Sequence, residues 1–408
     1  MTVMRVAIFT DLYAPWGDGG IVSSVKAQKD ALEELGHEVT VFCPGFQARE
    51  RNIVTVPSHK KLRINGAVVA KRPEVVEEFV MRKFPQFDKF DVVHVHYEAS
   101  CSLAGIRLAK MFSIPVVQTM HGREDMAVAV NVPFGVRSVV AGWLNRMHRK
   151  YIPHEVGVRK DKFQATTGAR AKMWEVMVNH ANAAKLVITP SDHFAQKLEH
   201  YGVTAPIRVV SNGIPEKIVK AEVKVHKMDD GDVLKMVWNA RASKEKRILP
   251  FLQAVAMLKR PYILYVYGGG NQLKKAKKFA KMHGMKAKFY GKCPRQKSLL
   301  RMKDVHLSVL ASYNFDTQGM TLLEAEAMGV PVFFCDPAMM EVVPEGSYVL
   351  AGGSDPISMS MALEKLPAEQ IAKMSKQMIK HRKEVGQATQ TKKLIAVYKE
   401  AVNGRVKK

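Results

Sequence analysis

Five short segments carry residues whose types and spacing suit chemistry on a phosphorylated or hydroxylated ligand. Asp18-Gly19-Gly20 lies between the apolar run Met4 to Thr10 and a helical stretch. Backbone free of side chains lets a phosphate or sugar approach a helix N-terminus, where amides and the helix dipole favour anions. The GxGxxG spacing of a dinucleotide site is missing, so a plain strand-to-helix turn is an equal reading. His121 follows directly on PVVQTM and precedes Gly122 and Arg123. That puts an imidazole at the carboxyl end of a strand, the edge where open α/β sheets bind ligands. His94 and His96 alternate along another apolar strand and read as core or hydrogen-bonding residues.

The second half offers a complementary set. Arg241 and Lys246 follow the run VLKMVWN, and two cations beside a helix N-terminus suit a diphosphate. An ordinary basic loop is the plain alternative in so basic a chain. Gly268-Gly269-Gly270 ends the next strand, as close approach of a nucleotide requires. The segment NFDTQGMTLLEAEAMGVPV then joins Asp316 to a turn at Gln318-Gly319 and a helix starting near Met320 that carries Glu324. Amides around Gly319, Met320 and Thr321 suit phosphate or sugar hydroxyls, and a carboxylate one turn further in suits ribose hydroxyls.

Positioning these groups requires strands that end where the residues begin. Apolar runs at 4–10, 38–43, 91–96, 115–120 and 186–191 alternate with helical stretches near 20–35 and 100–112, and with a long basic helical region from about 133 to 183. Ser191 is placed to cap the helix after the fifth run. A second series runs through 233–239, 262–267, 286–290, 305–310 and 331–335. Such alternation implies parallel sheets with crossover helices. The expected organisation is α/β: a Rossmann-like domain over 1–210, a polar linker over 211–232 and a second Rossmann-like domain over 233–385. A C-terminal helix over 386–408 is expected to return to the first domain, and the two domains to face each other across a cleft. The chain has no run of 18 or more uncharged apolar residues, and its cysteines (Cys43, Cys101, Cys293, Cys335) show no metal-ligand spacing. It reads as a cytoplasmic protein with reduced thiols and no membrane span.

These motifs together resemble the retaining GT-B glycosyltransferases of family 4. The resemblance runs nearly end to end, through FTDLYAPWGDGG, LEELGHEVTVF, DVVHVH, QTMHG, VVSNGIP, NARASKEKR, YGGG and the closing acid-x7-acid motif with LLEAEAMGVPV. It implies that the first domain binds the acceptor and the second the nucleotide-sugar, that Gly19 and Gly20 face the donor phosphates or acceptor, that His121 contacts the transferred sugar, and that Arg241 and Lys246 hold the diphosphate. Glu324 then binds the ribose. Two positions depart from the family pattern: Asp316 replaces the usual Glu, one methylene longer, and Ala240 replaces the Gly before the arginine. The implied reaction is a same-face transfer in which the leaving diphosphate takes the acceptor proton. Fixed cations stabilise its charge, and neither a metal nor a cofactor is required.

Charge bears on the acceptor, which the family leaves open. The 63 Lys and Arg against 38 Asp and Glu give +25, a field that favours polyanionic partners. Twelve basic residues and no acid fall in 271–303. Within the long helical region, Arg137, Arg146, Arg149, Lys150, Arg159, Lys160 and Lys162 are interspersed with Val139, Val140, Trp143, Leu144, Met147, Tyr151 and Ile152. That mixture suits a helix lying in an anionic interface, with Trp143 and Tyr151 at headgroup depth. The expected reaction moves glucose or galactose from a UDP-sugar to diacylglycerol or a similar lipid, on the inner face of the cell membrane. The rivals are a soluble or cell-wall polysaccharide transferase and a basic nucleic-acid-binding protein. The last lacks interleaved aromatics on a strand platform, so no nucleic acid partner is expected.

Overall fold

The computed structural model describes residues 3–16, 19–47, 50–64, 67–158 and 168–403. Asp18, Arg159, Lys160 and Lys162 of the sequence reading lie outside them. The chain forms two compact units, one of residues up to Gly213 together with the chain from Gln390 onward, the other Ile214–Thr389.

In the first unit the strands are β1 (Arg5–Thr10), β2 (Glu38–Pro44), β3 (Ile53–Val56), β4 (Ser58–Ile64), β5 (Ala67–Ala70), β6 (Val92–His96), β7 (Val116–Thr119), β8 (Leu186–Thr189) and β9 (Ile207–Val209). Its helices are α1 (Gly20–Glu34), α2 (Pro73–Lys83), α3 (Ser100–Met111), α4 (Glu124–Asn131), α5 (Arg137–Arg149), α6 (Ala169–Asn182) and α7 (Asp192–Tyr201). The sheet is parallel, in the order β3-β2-β1-β6-β7-β8-β9, with β4 and β5 paired as a separate antiparallel hairpin. Strands buried on both faces need apolar residues at every position, which is why these segments read as continuous runs. Phe9 stacks on Phe42 at 4.4 Å between ring centroids within the core on one face.

The second unit holds α8 (Glu216–Val219), β10 (Leu234–Asn239), α9 (Ile248–Ala256), β11 (Tyr262–Tyr267), α10 (Leu273–Met282), β12 (Ala287–Gly291), α11 (Arg295–Met302), β13 (Leu307–Leu310), α12 (Met320–Ala327), β14 (Val332–Phe334), β15 (Tyr348–Leu350), α13 (Pro356–Glu364) and α14 (Ala368–His381). Its sheet is parallel in the order β12-β11-β10-β13-β14-β15. The final helix, α15 (Gln387–Val402), lays Leu394, Ile395, Val397 and Tyr398 into the core of the first unit beside Val6 and Ile8.

Two expectations are corrected. The segment read as a linker over 211–232 is, from Ile214 onward, part of the second unit: Ile214, Val219 and Met228 are buried. These apolar residues are too widely spaced to give a helical or strand period. The single helical region over 133–183 is instead α5 and α6. The chain leaves the helix after Arg149, ahead of Pro153, which has no amide to continue a helical ladder.

Candidate active site

In each sheet the strand order reverses direction beside the first strand, and at such a point the carboxyl ends of the strands open a crevice for a ligand. In the second unit the reversal lies between β10 and β13. The loop after β10 is held by the glycines that end β11. A Cβ on Gly268 (φ 127°) would stand 1.9 Å from the Ala240 carbonyl oxygen, and one on Gly270 (φ 148°) 2.4 Å from that of Ala242. Backbone therefore lies directly on backbone. The Ala242 amide donates to the Gly269 carbonyl at 2.8 Å, and the Gln272 amide to the Ala242 carbonyl at 2.8 Å. Gly269 is less constrained, its nearest neighbour being the Lys292 Cβ at 3.4 Å.

Glu324 sits at this crevice with both carboxylate oxygens engaged. Arg295 Nε donates to Oε1 at 2.5 Å, and Asn239 Nδ2 donates to Oε2 at 2.9 Å. Burial pushes its carboxyl above the usual range, while Arg295 and Asn239 pull against that shift. The Thr321 hydroxyl donates to the Asn239 carbonyl at 2.7 Å, tying the start of α12 to the end of β10. Gly319 caps α12 at φ 72°, where a Cβ would meet Leu310 at 2.8 Å, and Met320 is the first helical residue. The opening amides of a helix have no intrahelical partner, so this turn offers donors to a ligand.

The two expected diphosphate cations have different partners. Lys246 Nζ is hydrogen-bonded to Asp316 Oδ1 and stands 5.2 Å from the Phe315 ring centroid, while the Ser312 hydroxyl donates to Asp316 Oδ2. Arg241 is largely exposed and pairs at 3.4 Å with buried Glu245, which also accepts from the Ser243 hydroxyl at 2.5 Å. Sequence reasoning missed Arg295, Asn239 and Glu245. Arg295 lies inside the basic run, and its contact with Glu324 spans 29 residues.

In the first unit the reversal lies between β1 and β6. His121, two residues beyond β7, has its Nε2 at 2.8 Å from Nδ1 of His96, the last residue of β6. Both imidazoles are held neutral by burial, His121 with its pKa lowered to about 4 and His96 well below its usual value. His94 Nδ1 meets the Tyr398 hydroxyl and its Nε2 the Thr119 hydroxyl, each at 2.7 Å. Beside them are carboxyls that the sequence reading passed over. Asp11 accepts from the Cys101 and Ser102 amides at 2.8 and 3.2 Å, and burial raises its pKa to about 6. Glu124 accepts from the Tyr97 hydroxyl at 3.2 Å, its pKa raised to about 7 by burial. Gly19 caps α1 at φ 112° and Gly20 opens the helix, both exposed; a Cβ on Gly19 would touch nothing, so backbone conformation rather than room favours glycine there.

Exposure along the basic helix is uneven. Phe134, Val139 and Trp143 are 86%, 71% and 61% exposed, and Arg146 is exposed beside them. Arg137 bends back, its Nε donating to the Val132 carbonyl at 2.7 Å and its guanidinium lying 5.6 Å from the Phe134 ring centroid. Arg149 pairs with Glu175 at 3.2 Å and Lys150 with Glu74 at 3.1 Å. Tyr151 and Ile152, expected at an interface, are instead buried in the core. The Tyr151 hydroxyl donates to Glu74 at 3.0 Å, because the chain has left the helix and turned inward. Among the described residues no helix is long and apolar enough to cross a membrane.

Two parallel sheets of this order in one chain, each with ligand-type residues at its reversal point, are the architecture of the GT-B glycosyltransferases. The chain belongs to that class through family 4: the Glycosyltransferase Family 4 domain matches residues 18–217, and the Glycosyl transferases group 1 domain matches 221–385. It is similar to the alpha-monoglucosyldiacylglycerol synthase of Streptococcus pneumoniae, 27% identical over 359 residues, covering 81% of this chain and 70% of that protein. The enzyme of the same name from Acholeplasma laidlawii is 26% identical over 364 residues, covering 81% of this chain and 79% of that one. In fold it matches Anabaena Alr3699/HepE, solved in complex with UDP and glucose, at a TM-score of 0.69 and 13% identity over 97% of this chain and all of that one.

Proposed function

We propose that the chain is a retaining hexosyltransferase that moves glucose or galactose from a UDP-sugar to the hydroxyl of a membrane lipid, diacylglycerol or a close relative. The observation that carries this reading is similarity across four-fifths of the chain to two proteins named as glucosyldiacylglycerol synthases. The exposed Phe134, Val139 and Trp143 beside Arg146 support it, as a surface suited to an anionic leaflet. The protein then works on the inner, cytoplasmic face of the cell membrane, held peripherally.

In this reading Glu324 accepts from the ribose hydroxyls, exchanging Asn239 or Arg295 for the ligand. Lys246, Arg241 and the amides of Gly319, Met320 and Thr321 stabilise charge on the departing diphosphate. Gly268 and Gly269 shape the loop beside it. The bond from the sugar to the diphosphate breaks as the acceptor oxygen bonds the same carbon from the same face. The acceptor proton passes to the diphosphate oxygen. His121 holds the sugar, with Gly19 and Gly20 near the phosphates. Fixed cations carry out the charge stabilisation, so no metal or further cofactor is needed.

The test is incubation with UDP- and GDP-hexoses and phosphatidylglycerol vesicles with or without diacylglycerol, product being read by mass. Hexosyl-diacylglycerol from a UDP-sugar is expected. Transfer to a soluble glycan with no lipid product would favour a polysaccharide transferase, and salt-sensitive DNA binding with no turnover a nucleic-acid-binding protein.

A further inference from the structure

We propose that His96 is a positioning residue for sugar transfer: its Nδ1–H donates to His121 Nε2 and fixes His121 as the tautomer protonated on Nδ1. The catalytic half of this proposal rests on the reading of His121 as a residue that holds the sugar.

The two rings meet edge to edge with 5.1 Å between centroids and 23° between planes, and their facing nitrogens are 2.8 Å apart. Neutral imidazoles share one proton across such a contact, so two arrangements exist. In the first, His121 donates from Nε2, and His96 must carry its own proton on Nε2. That atom is buried and has no hydrogen-bond partner. The ring of His94 packs with its centroid 3.9 Å from that of His96, but both its nitrogens are engaged by Tyr398 and Thr119. The first arrangement therefore buries an N–H with nothing to accept it. In the second, His96 donates from Nδ1, and its Nε2 is left as a bare lone pair, which interiors tolerate better than an orphaned donor. The second arrangement is favoured by on the order of tenfold or more.

His96 is itself held in place. It ends β6 with a relative exposure of 0%, and its carbonyl accepts from the Ser102 hydroxyl at 2.8 Å. The consequence for His121 is chemical. Its Nε2 is occupied as an acceptor, so the ring meets any further partner through Nδ1 as a donor rather than as a base.

The direct test is nitrogen-15 NMR of histidine-labelled protein, which separates protonated from unprotonated ring nitrogens. Wild type is expected to show His121 protonated on Nδ1 and bare on Nε2. His96→Phe, which fills the ring volume without an N–H, is expected to move the His121 proton to Nε2. It should also lower kcat about tenfold, with KM for the UDP-sugar within about twofold of wild type. His96→Asn places an amide N–H near the lost Nδ1–H and is expected to restore much of both. An Nε2–H signal for His121 in wild type overturns the proposal, and so does His96→Phe with an unchanged tautomer and wild-type kcat. Wild-type turnover in His121→Ala would instead remove the reading on which the catalytic half rests, while leaving the tautomer as measured.

Discussion

Gly268→Ala is expected to damage the second unit and its nucleotide loop, whereas Gly269→Ala is expected to spare both. At Gly268 the added Cβ meets a carbonyl oxygen at 1.9 Å, so the Ala240 backbone must withdraw by about 1 Å. The residue is also left at φ 127°, a region nearly closed to L side chains. Backbone strain of this kind costs about 1–3 kcal/mol, and overpacking a similar amount. A combined loss of about 3 kcal/mol lowers Tm by about 6–12 °C for a domain of this size. Because the displaced carbonyl precedes Arg241, affinity for UDP should fall about tenfold or more. At Gly269 the nearest atom is 3.4 Å away and the backbone is not in the positive-φ region, so Tm should stay within about 2 °C. Scanning calorimetry and UDP titration of both variants decide the matter. Equal melting of Gly268→Ala and wild type, or undiminished UDP affinity in that variant, would refute the close backbone packing.

Lys246→Ala is expected to lower kcat about 10²-fold, and Lys246→Arg less, in donor-turnover assays; wild-type rates in the alanine variant would contradict its placement at the diphosphate. His121→Ala should lower kcat while calorimetry shows UDP affinity near wild type, since His121 belongs to the other unit. Glu326 is buried on α12, and burial with repulsion from Glu384 raises its pKa to about 8. The folded group keeps its proton at pH values where the unfolded group has lost it, so its presence lowers stability progressively as pH rises from 4.5 to about 8. Glu326→Gln should therefore melt above wild type at pH 8 and level with it below pH 4.5, as read by thermal unfolding across pH. Phe134→Ser with Trp143→Ser is expected to weaken sedimentation with phosphatidylglycerol vesicles about tenfold or more. Arg149→Glu with Lys150→Glu should act less strongly, because both cations are already paired within the protein.

The central strands were legible because a parallel strand covered on both faces must be apolar throughout, and DVVHVH or PVFFC allows few other readings. Residues directly after such strands, His121 and Arg241 among them, could be singled out by the same logic. The hairpin of β4 and β5 was overlooked because SHKKLRI has no apolar alternation to mark a strand, although the dipeptide Asn65-Gly66 that follows it in the sequence is a strong two-residue turn signal. Tyr151 and Ile152 were misplaced because a mixed basic and apolar run looks the same whether the chain continues as a helix or turns into the core. Local pattern is silent on which partner a charge finds. Arg295 with Glu324, Lys246 with Asp316 and Arg241 with Glu245 are three separate pairings, and the first two are set by strand order rather than by spacing. His96 read as a core histidine and is one, but its contact with His121 joins the ends of β6 and β7, which only the sheet brings together.

The most direct measurement is NMR of the product formed from UDP-α-glucose or UDP-α-galactose on vesicles of phosphatidylglycerol and diacylglycerol, with the anomeric proton followed before it can equilibrate. A lipid-linked hexose with the α configuration, formed at a rate that falls in Lys246→Ala and His121→Ala, is the expected result. A β-linked product, or donor hydrolysis without any lipid-linked sugar, would contradict retaining transfer to a membrane lipid.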